Sequence, residues 1–195
     1  LTDGEYHPFE GMVLTDTFQM TEGKGILNEV MFPENNKRAA RQNKTDIRVV
    51  IGNPPYSVGQ ESENDGEKNP AYPQLDARIA STYAAKSTAG LKRNLYDSYI
   101  RAFRWASDRV KDKGVVCFVS NGSLVTKNSM DGVRKVLANE FTSIHCFNLR
   151  GDAHGSGEVR QKEKGNVFGA GTRTSVAITL LIKNPAKIGT CELFY

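Results

Sequence analysis

The run Val49-Val50-Ile51-Gly52-Asn53-Pro54-Pro55-Tyr56 decides how the rest of the chain is read. Residues 47–51 are β-branched apart from Arg48, the pattern of a strand buried in a sheet. The strand stops abruptly at two prolines. Each fixes its own φ and biases the preceding residue towards an extended backbone, so the turn is stiff. Neither proline has an N–H. The turn therefore offers carbonyl acceptors without adjacent donors, and the Asn53 carboxamide oxygen adds one more. In open α/β sheets, ligands are held at the carboxyl ends of strands, where this turn is placed.

Such a turn suits one kind of substrate group. A primary aromatic amine is unprotonated at neutral pH and its lone pair is delocalised into the ring. Acceptors drawing on its two N–H bonds favour the tetrahedral geometry needed for attack and stabilise positive charge growing on nitrogen. The ring of Tyr56 can lie against a flat base and hold the amine in line. A rigid loop or a proline-rich recognition element is the plain alternative, but such an element belongs in an exposed linker rather than directly behind Val49-Val50-Ile51.

Working outward, short strand-like runs alternate with longer helical ones, which predicts an α/β fold with a mostly parallel sheet and flanking helices. Strands are expected at 12–14, 47–51, 115–119, 142–149 and 174–182. Helices are expected at 73–87, with Leu75, Ile79 and Tyr83 on one face, and at 94–110. In the second helix Leu95, Tyr99, Ile100, Phe103, Ala106 and Val110 recur at helical spacing. A further helix is expected at 130–137. Residues 34–45 read as polar, basic surface, 57–69 as a mobile loop, and the glycine-rich 151–171 as a long functional or disordered loop.

The 195 residues allow one α/β domain with a sizeable core. No stretch approaches the apolar length that spans a bilayer, so no membrane association is expected. The net charge of +4 permits a polyanionic partner without requiring one. Cys117, Cys146 and Cys191, like His7, His145 and His154, lack disulfide or zinc spacing. No metal site is expected, and the thiols read as buried in a reducing, cytoplasmic compartment.

Given Asn53-Pro54-Pro55-Tyr56 behind its strand, the chain resembles the gamma-type adenine-N6 DNA methyltransferases. More narrowly, Phe9-Glu10-Gly11-Met12-Val13-Leu14-Thr15-Asp16-Thr17-Phe18 and Asn94-Leu95-Tyr96-Asp97-Ser98-Tyr99 resemble the methylase part of single-chain restriction–modification enzymes. The resemblance covers residues 6–185. It implies a partial Rossmann-like fold dependent on S-adenosyl-L-methionine (AdoMet), with double-stranded DNA as partner. It also implies covalently linked nuclease, helicase-like and target recognition domains in the parent chain.

By the same resemblance, Asn53 and Pro54 hold the target amine and Tyr56 stacks on the flipped adenine. Asp16 with Phe18 contacts the adenine part of AdoMet, Tyr96 lies by its methionine end, and Phe168 is a second aromatic against the flipped base. Each residue also has a structural reading. Asp16 can cap a helix or turn, Tyr96 and Tyr99 can be core aromatics, and Phe168 can anchor the glycine-rich loop. Ser120-Asn121-Gly122 is either a set of polar site residues or a turn. The basic sets Lys37, Arg38, Arg41, Lys44 and Arg160, Lys162, Lys164 are either phosphate contacts or solvated surface.

The resemblance has one gap. Nothing in residues 1–10 supplies the family's glycine-rich cofactor loop, and residues 1–195 are not expected to include the family's target recognition domain. Residues 1–195 are therefore expected to be a partial catalytic domain, inactive alone. A protein glutamine-N5 or RNA adenine-N6 methyltransferase uses the same turn chemistry, and a catalytically silent DNA-binding module is the alternative from another class.

Overall fold

The protein is described by a computed structural model over residues 9–23, 30–55, 71–90, 92–151 and 175–195. Its strands are β1 (Val49–Gly52), β2 (Gly114–Asn121), β3 (Ser143–Asn148), β4 (Val176–Lys183) and β5 (Glu192–Phe194). Its helices are α1 (Thr17–Thr21), α2 (Pro33–Lys44), α3 (Pro73–Ile79), α4 (Ser98–Arg109), α5 (Ser123–Thr126) and α6 (Asp131–Glu140). The strands form one sheet in the order β1-β2-β4-β3-β5. β1 runs parallel to β2, and β3 to β5, while β4 is antiparallel to both neighbours.

The sheet is thus mixed, where alternating strands and helices predicted a mostly parallel one. No described helix carries the chain from β3 to β4. The connecting segment leaves and returns at the same end of the sheet, so β4 must run back antiparallel. It inserts between β2 and β3 rather than beside them.

The predicted helical face of residues 94–110 is the centre of the core. Leu95, Ile100, Phe103, Ala106 and Val110 have no exposure and Tyr99 has 1%. Asp97 interrupts the helix. Its extended backbone separates a 3₁₀ turn at Arg93–Tyr96 from α4, and its carboxylate accepts the Tyr99 amide at 3.3 Å as an N-cap. Leu75, Ile79 and Tyr83 share one buried face as expected, although the helix widens to π geometry over Ala80–Ala84. There α6 comes so close that a Cβ on Gly132 would lie 2.1 Å from the Tyr83 carbonyl oxygen.

α4 and α6 pack on the sheet face that carries Val116, Phe118, Ile144 and Leu181. Phe103 meets Phe118 edge-on, with ring centroids 5.1 Å apart. Burying one such side chain contributes about 1.5–3 kcal/mol. Arg104, 1% exposed, is held among Glu140, Asp108 and the ring of Tyr83. A buried ion pair is close to neutral against apolar packing, so the aromatic and aliphatic contacts hold the fold.

The opposite face of the sheet is apolar too but poorly covered. Val49, Ile51 and Phe147 are 57%, 75% and 59% exposed. This corrects the reading of residues 47–51 as a buried strand. β1 lies at the sheet edge, pairing among the described residues with β2 alone. Only Val50 on this strand packs against the core.

Residues 12–14 do not form the expected strand, and 34–45 are not merely surface. They form most of α2, whose side chains take the place of a neighbouring strand. The Asn35 carboxamide bonds both the amide and the carbonyl of Leu14, at 2.8 and 2.9 Å. Arg38 donates to the Met12 carbonyl and Arg41 to that of Glu10.

Candidate active site

Parallel pairing brings the carboxyl ends of β1 and β2 to one end of the sheet, joined by the end of β3 and the start of β4. Asn53-Pro54-Pro55 leaves β1 at this end. Pro54 is buried, whereas Asn53 and Pro55 are exposed. The Asn53 carboxamide has no hydrogen-bond partner among the described residues. A stiff, anchored turn thus presents a free acceptor. Tyr56 and the segment after it lie outside the described residues.

The neighbouring strand ends close this region. Ser120 is fully buried at the end of β2, and its hydroxyl has no hydrogen-bond partner among the described residues. The Asn121 side chain accepts the Ser123 amide at 2.9 Å and shapes the turn into α5. Gly122 donates to the Ser175 carbonyl at 2.8 Å, and a Cβ on it would lie 2.4 Å from the Ser175 hydroxyl. Asn121 and Gly122 therefore serve the turn. At the end of β3, Arg150 and Gly151 both take positive φ, and the Arg150 carbonyl accepts the Val176 amide. Phe168 and the basic set Arg160, Lys162 and Lys164 lie outside the described residues.

Tyr96 closes the 3₁₀ turn before α4, half-buried and packed on the core, while Tyr99 is fully interior and serves packing. α4 feeds β2 through a tight connection, so it runs against the strands and its first turn lies at the same end as Asn53. Phe18, on α1, packs against the core from outside. Asp16 caps α1, with Oδ1 accepting the amides of Phe18 at 2.9 Å and Gln19 at 3.2 Å. Its other oxygen accepts the Tyr72 hydroxyl at 2.8 Å.

That last contact was not legible in the sequence. Tyr72 is 7% exposed, and its ring stands edge-on to Phe18 with centroids 5.2 Å apart. Burial, and then the bond to the Asp16 carboxylate, push its hydroxyl up to about 12. Glu22, also buried, accepts the amides of Gln74 and Leu75 and so caps the start of α3. The separation of 56 positions between Asp16 and Tyr72 leaves no spacing from which to infer the pair.

An adenine with an exocyclic amine needs an acceptor beside an aromatic surface. Asp16, exposed, and Phe18, half-buried, fit that requirement. The basic set on α2 fits a phosphate site less well. Arg38 and Arg41 are taken up by backbone carbonyls, and Lys37 pairs with Glu34 at 2.8 Å. Among the described residues no cluster of His, Cys, Asp and Glu could hold a metal ion, and no helix is long and apolar enough to cross a membrane.

Residues 7–154 match the family model described as Eco57I restriction-modification methylase. The chain belongs to the Eco57I restriction-modification methylase family. Three solved structures carry the same fold at substantial identity. One is a nuclease-deletion mutant of the Type ISP restriction-modification enzyme LlaGI in complex with a DNA substrate mimic. It is 46% identical with a TM-score of 0.89, over 98% of this chain and 16% of that one. The ATP-dependent Type ISP restriction-modification enzyme LlaBIII bound to DNA is 42% identical with a TM-score of 0.88, over 96% of this chain and 12% of that one. The DrdV–DNA complex, solved by cryo-electron microscopy, is 42% identical with a TM-score of 0.86, over 97% and 18%. The chain therefore spans less than a fifth of each of these relatives. No curated protein matches. The Eco57I match includes Asp16, Phe18, Asn53, Pro54, Tyr56 and Tyr96, and it stops before Phe168. The kinship with restriction–modification methylases expected from the residues is thus established.

Proposed function

We propose that this chain is the amine-binding part of a methyltransferase domain that methylates N6 of adenine in double-stranded DNA, within a restriction–modification enzyme. The observation that carries the reading is the exposed Asn53 carboxamide on a turn anchored by buried Pro54. Family membership supports it, as do relatives solved with DNA or a DNA mimic. The mixed sheet with its helices is read as part of a Rossmann-like fold. The cofactor loop and target recognition domain belong to other parts of the parent protein, as do the nuclease and helicase-like domains.

When bound, AdoMet supplies a methyl group on an electrophilic sulfonium. Asn53 and the Pro54 carbonyl accept the two N6 hydrogens, orient the nitrogen lone pair and stabilise the positive charge that develops on it. The turn would thereby hold N6 towards the methyl group that AdoMet would supply, and the N6 proton would be lost to solvent. No strongly activated base is needed, because the methylated amine is acidic. Tyr56 and Phe168 are read as holding the flipped base from its two faces, Asp16 and Phe18 the adenine end of AdoMet, and Tyr96 its methionine end.

The test is to incubate the full-length enzyme with labelled AdoMet and unmethylated DNA and to identify the labelled nucleoside. N6-methyladenine, lost in Asn53→Ala, is the expected result. Label in RNA or in protein glutamine would move the substrate assignment. DNA binding with no transfer at all would make the domain a silent module.

A further inference from the structure

Asp16 is pinned more firmly than a capping residue requires. A carboxylate offers about four acceptor positions. The amides of Phe18 and Gln19 fill the two on Oδ1, and the Tyr72 hydroxyl takes one of the two on Oδ2. With three donors in place the carboxylate cannot rotate, and one acceptor position of set direction remains. Tyr72 is itself held on both sides of its ring. The Arg101 guanidinium lies 5.3 Å from the centroid of its ring and is fixed by a two-pronged bond to Asp76 at 2.8 and 2.9 Å. The same ring meets Phe18 edge-on. One buried tyrosine thus touches both residues assigned to the adenine end of the cofactor, and connects them to α3 and α4.

We propose that Tyr72 is a positioning residue for the cofactor: its hydroxyl aims the remaining acceptor of Asp16 Oδ2 at the exocyclic amine of the AdoMet adenine. This rests on the assignment of Asp16 to that adenine. Neither Tyr72 nor Arg101 needs to touch the ligand. The effect falls on the strength and selectivity of cofactor binding, leaving the target base and the methyl transfer step unaffected.

Tyr72→Phe is the informative substitution. It keeps the ring against Phe18 and under Arg101, and it leaves Asp16 free to bond water, because that carboxylate is exposed. Calorimetric titration of the full-length enzyme would use S-adenosylhomocysteine and its counterpart with hydrogen in place of the adenine amine. Wild type is expected to favour the amine-bearing ligand by about tenfold, the scale of one hydrogen bond to a charged acceptor. In Tyr72→Phe that preference should fall to about two- to threefold through weaker binding of the amine-bearing ligand alone. DNA affinity and kcat at saturating AdoMet should not change.

Asp16→Asn separates the possible failures. If it leaves the preference intact, the assignment of Asp16 to adenine is wrong. If Asp16→Asn abolishes the preference while Tyr72→Phe retains it in full, Asp16 binds adenine and the positioning role of Tyr72 is overturned. Equal weakening of both ligands in Tyr72→Phe would also overturn it, since packing rather than aim would then be at stake.

Discussion

Asn53 can be altered without disturbing what anchors it, because its side chain is exposed and Pro54 beside it is the buried member of the turn. Asn53→Ala should therefore leave the thermal midpoint within about a degree or two, as is usual for surface positions. It should lower kcat in the full-length enzyme by about 10²–10³, the cost of removing one preorganised group from a charge-stabilising site. Methyl transfer to DNA and differential scanning calorimetry check the two halves. A matched loss of stability would reduce Asn53 to a structural residue. This part of the site was legible because one short motif carries both its geometry and its chemistry. Tyr72 was not legible, because its role depends on a partner 56 residues away.

At the scale of elements, helices were read well where a single buried face set the spacing. Leu75, Ile79 and Tyr83, and the six core residues of 94–110, sit inside as their periodicity requires. Elements stabilised by distant side chains were not. α2 buries only Asn35 and Ala39, so its apolar signal is too weak to read. Residues 12–14 look like a strand yet have their backbone groups met by Asn35 and Arg38. Close approach is equally silent in sequence. Gly132 could be any residue of α6, yet a Cβ there would strike the Tyr83 carbonyl. Gly132→Ala should cost about 1–3 kcal/mol from overpacking, despite alanine's better helix propensity. Chemical denaturation checks this, and a variant as stable as wild type would show that α6 can shift away at little cost.

For the whole molecule, charge and exposed surface set the conditions under which the fold persists. Burial raises the Asp108 carboxyl, but bonds and charges from Arg78 and Arg104 outweigh it and hold it below the usual carboxylate range. A lowered folded-state value gives stability that is present above the unfolded carboxylate value, about 4, and lost as pH falls through the folded one. Thermal midpoints should decline below about pH 4, and Asp108→Asn should flatten that decline while lowering the midpoint at neutral pH. An unchanged acid limb in the variant would assign it to other carboxylates. The poorly covered sheet face makes a separate prediction. This 195-residue chain should bind a hydrophobic fluorescent dye in its native state, and Ile51→Thr should weaken that binding without lowering the midpoint.

The sheet was read as mostly parallel because alternation of strands and helices cannot reveal that β4 returns to the end it left. That return has a consequence for how such proteins diversify. The chain departs after Gly151 and re-enters at Ser175, and the ladder is closed there by Leu149, Arg150 and Val176. Every rung between the described strands β2, β3 and β4 is made by residues up to Arg150 or from Ser175 onward. Variation at the departure point, Arg150 and Gly151, therefore falls at the same end of the sheet as the Asn53 turn, while the core beneath is set by other residues.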